Sequence, residues 1–170
     1  RSKILYNSYS SLYMGPVYAA LETGAVVSGA NIILAAYLNA SNLTSIDVAA
    51  FKPDGSGLEL EFGTNQTGVA SNIFAGHTIN NNNIRMCFNT DPNIIVAAVD
   101  TSGNLLVTCL DITTGDPVPD FNSGSVLVIP ISGVTSGVSL TNLTGVSDGT
   151  IMATFWNNAA NDTMYQARIL

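Results

Sequence analysis

Basic residues are the scarcest feature of this 170-residue chain: Arg1, Lys3, Lys52, Arg85 and Arg168 stand against twelve acidic residues, for a net charge of −7. Nucleic-acid binding relies on clustered Lys and Arg neutralising phosphates, and these five form no cluster. The same scarcity leaves no basic amphipathic face for an anionic membrane surface. Long apolar runs are missing too. A membrane-spanning helix needs about 18 or more, and the longest candidates here, residues 30–38 and 94–99, are strand-sized. Charged side chains make up 10% of the chain, where a soluble domain ordinarily carries about a quarter. Something other than charge must keep the surface wet.

Catalytic equipment is equally thin. His77 is the single histidine. No serine sits in a Gly-X-Ser-X-Gly elbow, so His77 has no evident nucleophile to activate and reads as a structural residue at a strand end. Zinc takes three or four His or Cys ligands in local pairs, which the chain does not offer. Glu59 and Glu61 share one face of an alternating stretch, a spacing that suits a plain solvent face as well as a carboxylate pair. Asp111, Asp116 and Asp120 lie in a loop whose oxygens could wrap calcium. The loop departs from the EF-hand pattern, however, and Asp beside Gly and Pro is explained by turn formation. Phosphate-cradling glycine loops and dinucleotide fingerprints are absent. The chain is expected not to be an enzyme and to need no cofactor or metal.

Short runs of Val, Ile, Leu, Thr and Tyr are present throughout, separated by turn residues every eight to fifteen positions, which is the pattern of an all-β protein. Residues 44–52 and 58–62 read as a hairpin across Pro53-Asp54-Gly55-Ser56-Gly57, with Leu58, Leu60 and Phe62 on the buried face. Residues 94–99 and 105–110 read as a second hairpin, apolar on both faces as a central strand would be. Residues 84–88, 125–131, 151–156 and 164–170 complete the strand set, and Pro130 places its strand at a sheet edge or ends it there. Asn80 to Asn83 read as a turn. The expected architecture is an antiparallel β-sandwich, Ig-like or jelly-roll-like, formed by residues 19–170. As the only tryptophan, Trp156 is expected in the core, although Trp156, Asn157 and Asn158 also form one grouping suited to sugar binding, and Phe51 or Phe74 could offer more.

Five Asn-X-Ser/Thr triplets begin at Asn39, Asn42, Asn65, Asn142 and Asn161. With 18 Asn and 32 Ser plus Thr, composition alone accounts for about three such triplets. Each is an acceptor for an N-linked glycan, a bulky hydrated group that demands an exposed site. Cys87 and Cys109 each lie in an apolar, strand-like stretch. A disulfide between them would close a loop contributing about 3 kcal/mol and would belong to an oxidising compartment; two buried thiols are the alternative. A start at Arg1 is compatible with removal of an export signal.

Residues 1–18 form a segment dense in large apolar side chains, among them Ile4, Leu5, Tyr6, Tyr9, Leu12 and Tyr13. A free terminus is normally polar, so these residues are expected to be buried. They either supply the first strand of their own sandwich or add a strand to the open sheet of a neighbour. With this hydrophobic segment, the sequon-rich, lysine-poor β-domain and the Cys87/Cys109 pair, the chain resembles the secreted thread-type subunits of archaeal surface filaments. The resemblance implies an extracellular homopolymer built by donor-strand complementation. Ile4, Leu5, Tyr6, Tyr9, Leu12 and Tyr13 would be the donated residues and the five sequon asparagines the glycan carriers. Such a filament would serve contact with surfaces or neighbouring cells. A secreted carbohydrate-binding module and a viral coat protein are the alternatives, the latter disfavoured by the missing basic arm.

Overall fold

A computed structural model describes residues 14–27, 30–39, 45–89, 93–131, 138–157 and 163–169. Within them the chain forms strands β1 (Met14–Val27), β2 (Ala30–Asn39), β3 (Ile46–Phe51), β4 (Val69–Ala70), β5 (Ile79–Phe88), β6 (Ile94–Asp100), β7 (Asn104–Leu110), β8 (Leu127–Pro130), β9 (Val138–Gly145), β10 (Ile151–Asn157) and β11 (Thr163–Ile169). A single 3-10 turn, Asn122–Gly124, completes the regular structure. The strands make three sheets, ordered β1-β2-β3-β4, β5-β6-β7-β8 and β11-β10-β9, and every strand pair is antiparallel. The all-β reading holds. No helix among the described residues is long and apolar enough to cross a membrane.

The strand β6 explains how the sheets share one molecule. Its side chains alternate between two apolar clusters. Ile94, Val96 and Ala98 join Ile32, Leu34, Leu38, Ile46 and Val48 from β2 and β3. Ile95, Ala97 and Val99 join Leu140, Leu143, Ile151, Ala153 and Phe155 from β9 and β10. A strand buried on both faces needs an unbroken apolar run, and 94–99 is one. Its partner β7 divides in the same way, with Leu106 and Leu110 in the first cluster and Leu105, Val107 and Cys109 in the second. Each such fully buried Leu or Ile contributes about 1.5–3 kcal/mol of hydrophobic stabilisation.

The hairpin of β6 and β7 is closed by a carboxylate. Asp100 Oδ1 accepts the Ser102 N–H at 2.9 Å and the Asn104 N–H at 2.8 Å, while Oδ2 accepts the Asn104 side-chain amide at 2.9 Å. Gly103 takes φ 81 inside this turn, a left-handed conformation that favours glycine. At the far end of the sheet, β8 stands last in the order and pairs Pro130 with Asn104, as its missing N–H requires.

Two expectations are corrected. Residues 58–62 are not a strand: only Leu58 bridges to Phe51, and the chain then turns, with Phe62 N–H donating to the Glu59 carbonyl at 3.1 Å. The alternation is inverted there, since Glu59 is buried and Leu60 is 57% exposed. Phe62 is fully buried in the first cluster, and the turn is what delivers it there. Asn80 to Asn83 lie within β5, where the pairing with β6 breaks register between Ile79 and Ile84. Strand β1 itself spans Met14–Val27 and includes positions 18 and 19.

Candidate functional site

Of the five sequons, three have their asparagine among the described residues, and these differ sharply. Asn39 closes β2 half-buried, and its side-chain amide donates to Asp47 Oδ2 at 2.8 Å. Asp47 is itself buried, and its other oxygen accepts the Asn72 N–H at 2.8 Å. The Asn39 amide is therefore engaged in structure. Asn65 is exposed at the tip of a loop, where Asn65 and Gln66 both take left-handed φ, 61° and 57°. Its Thr67 hydroxyl is engaged with backbone, donating to the carbonyl of Thr64 or Val69. Asn142 is exposed on β9, and its amide donates to its own Thr144 hydroxyl at 3.1 Å. Asn42 and Asn161 lie outside the described residues, as do Ile4, Leu5, Tyr6, Tyr9, Leu12 and Tyr13.

Alternation and register set what surrounds Asn142. In a strand, residues i and i+2 share a face. Leu143 therefore enters the second cluster while Asn142 and Thr144 face outward. Pairing across the sheet brings Asn142 opposite Thr154 and Thr154 opposite Gln166. The rows on either side are Ser139, Trp156 and Met164, and Thr144, Met152 and Arg168. Trp156 lies on this outer face, half-buried and in neither apolar cluster, so the expectation of a core tryptophan is corrected. Its alternating neighbours Ile151, Ala153 and Phe155 take the core positions instead. Met164 is 63% exposed beside it. Met164, Gln166 and Arg168 were not singled out from sequence, although their i, i+2, i+4 spacing marks one face of a strand. Arg168 is anchored at the margin by Asp148 Oδ2 at 3.2 Å and the Thr150 hydroxyl at 3.3 Å.

No bond joins Cys87 and Cys109 in this structure. Both are aligned with Ile95, Cys87 from β5 and Cys109 from β7, so the central strand separates them. Two strand spacings put their Cα atoms about 9.5 Å apart, beyond the roughly 7 Å that a disulfide spans. Burial pushes the Cys87 thiol up to about 11 despite a hydrogen bond to the Gly145 backbone. Neither geometry nor acidity suits it as a nucleophile.

Several titratable side chains elsewhere are occupied with structure. His77 Nδ1 lies 3.2 Å from Asp100 Oδ2, the carboxylate that closes the β6–β7 turn. Burial alone would raise the Asp100 carboxyl, but hydrogen bonds from Asn104, His77 and Ser102 outweigh it and hold the group below the ordinary carboxylate value. Asp111 Oδ1 accepts the N–H groups of Thr113 and Thr114, each at 2.8 Å, which makes it a turn residue. Among the described residues no group of three His, Cys, Asp or Glu side chains is placed to hold a metal ion. Tyr37 is buried, and among the described residues its hydroxyl has no hydrogen-bond partner. Burial, aided by the Asp47 carboxylate, holds that hydroxyl above the ordinary phenol value.

The arrangement with most chemical content is thus the outer face of the β9–β11 sheet, where the exposed sequon asparagine Asn142 stands diagonally across from Trp156. No protein-family model matches the chain, and neither a curated protein nor a solved structure matches it.

Proposed function

We propose that the chain is a structural subunit of an extracellular filament, N-glycosylated and assembled by donation of its N-terminal segment to a neighbouring copy. The observation that carries this reading is the position of β1. It is a 14-residue strand standing at the end of its sheet's order with β2 as its paired neighbour, directly after the segment that holds Ile4, Leu5, Tyr6, Tyr9, Leu12 and Tyr13. A long edge strand is a template for pairing with another chain. A head-to-tail contact of that kind does not close on itself and propagates as a fibre. Two apolar clusters on opposite faces of one sheet fit a layered β-sandwich as the scaffold. With Cys87 and Cys109 not joined in this structure, the extracellular assignment rests on the exposed sequons.

Deleting residues 1–13 tests the proposal. Negative-stain microscopy of the full chain is expected to show fibres, and of the truncated chain folded particles without fibres. Fibres from the truncated chain would sink donor-strand assembly.

A second reading, a secreted carbohydrate-binding module, is favoured by one observation: the only tryptophan faces outward, in a row with Ser139 and Met164. It predicts a monomer whose retention on immobilised polysaccharide is lost on Trp156→Ala.

A further inference from the structure

We infer that Asn142 carries an N-linked oligosaccharide whose first sugars lie over Trp156 and Met164, and that Asn39 carries none. The inference rests on the glycoprotein reading above and assigns the sugar a place. Three observations support it. Asn142 and Thr144 face outward together because Leu143 is drawn into the core, so the triplet's amide and hydroxyl meet at 3.1 Å on an exposed strand. Asn142 stands opposite Thr154, and Trp156 is two residues further along the same strand and face. Diagonal neighbours on one sheet face are about 7–8 Å apart, within the span of a sugar attached to the asparagine. The face itself offers what a pyranose ring takes: an aromatic plane for its C–H side in Trp156, and amide and hydroxyl groups for its hydroxyls in Gln166, Thr154 and Ser139.

The modification is a glycosyl transfer with a lipid-diphosphate-linked oligosaccharide as donor. Asn142 Nδ2 bonds to the anomeric carbon, the bond from that carbon to the diphosphate oxygen breaks with its electron pair on the departing diphosphate, and one amide proton passes to a base of the transferase. Nothing is oxidised or reduced. The remaining N–H of Nδ2 can still donate to the Thr144 hydroxyl. At Asn39 the same step would require fitting a sugar at a half-buried position, on the amide that donates to the buried Asp47 carboxylate.

Trp156 being the chain's only tryptophan makes the test direct. Peptide mapping of the native protein by mass spectrometry is expected to find hexose-containing mass on the Asn142 peptide and the bare mass on the Asn39 peptide. Acrylamide quenching of the tryptophan fluorescence is expected to rise roughly two-fold once the ring loses its cover. That rise should appear in enzymatically deglycosylated protein and in Asn142→Gln, and not in Asn65→Gln. Thr144→Val removes the same sugar while keeping Asn142, and serves if Asn142→Gln does not fold. An unmodified Asn142 beside a glycosylated Asn65 would overturn the inference and leave the glycoprotein reading standing, whereas bare asparagines throughout would sink both. Unchanged quenching after sugar removal overturns the placement over Trp156. So does protection of Trp156 in the native glycoprotein by added free oligosaccharide, which would mean a site open to sugar from outside.

Discussion

Asp100 shows how a single side chain organises this molecule, because it accepts four hydrogen bonds from a turn and from His77 while itself buried. Its native carboxyl lies below the ordinary value, so the stability it contributes is present above the unfolded pKa, about pH 4, and is lost as pH falls through the native pKa. Asp100→Asn is expected to cost about 1.5–3 kcal/mol at pH 7 and to flatten the acid limb of stability against pH, read by urea unfolding between pH 3 and 7. An acid limb unchanged in the variant would mean that other carboxylates set it. The cysteines give an independent residue-scale check. Thiol titration of the native chain at pH 8 is expected to be slow, since burial raises Cys87 and Cys109 is buried, and two thiols per chain should appear after unfolding without reductant. Their absence would reinstate the disulfide.

At the scale of elements, the least obvious contact is that between β5 and β9. Arg85 Nε donates to the Thr141 carbonyl at 3.2 Å, and a Cβ at Gly145 would overlap the Phe88 carbonyl oxygen. Gly145→Ala is therefore expected to destabilise by about 1–3 kcal/mol. Val128→Thr, on an exposed position of β8, should stay within about 0.5 kcal/mol. Equal melting temperatures for the two would show that β5 and β9 are not held so closely. The β6–β7 hairpin was legible because an unbroken apolar run and an Asp-Thr-Ser-Gly-Asn turn both point to it, and the edge position of β8 because proline lacks an N–H. Residues 58–62 misled because period-two alternation fitted them. Burial of Phe62 and the left-handed Gly63, φ 85, against the backbone of Val69 override that pattern. The sequons were equally plain, but the face around Asn142 was not. The register slips between Thr154 and Phe155, leaving Thr141 as the extra residue. Leu140 and Leu143, three apart, both point inward, a spacing no simple alternation contains.

For the whole molecule, the question is whether three sheets behave as one cooperative unit. Leu106 and Val107 are adjacent on β7 yet belong to different apolar clusters, so they report on opposite sides of the same sheet. Leu106→Ala is expected to cost about 2–5 kcal/mol, with Val107→Ala also destabilising, and both should lower one shared unfolding transition. Two separated transitions in calorimetry, each responding to one of the variants, would mean that the outer sheets unfold independently.

The double-sided burial of β6 also carries a kinetic consequence. Its amides are bonded into β5 and β7 and covered above and below, so solvent deuterium can reach them only when both apolar clusters part at once. Their exchange rates should measure the global unfolding free energy, while amides in the terminal strands β8 and β11 exchange through smaller openings. The slowest-exchanging segment would then be 94–99, a stretch with no charged residue in it.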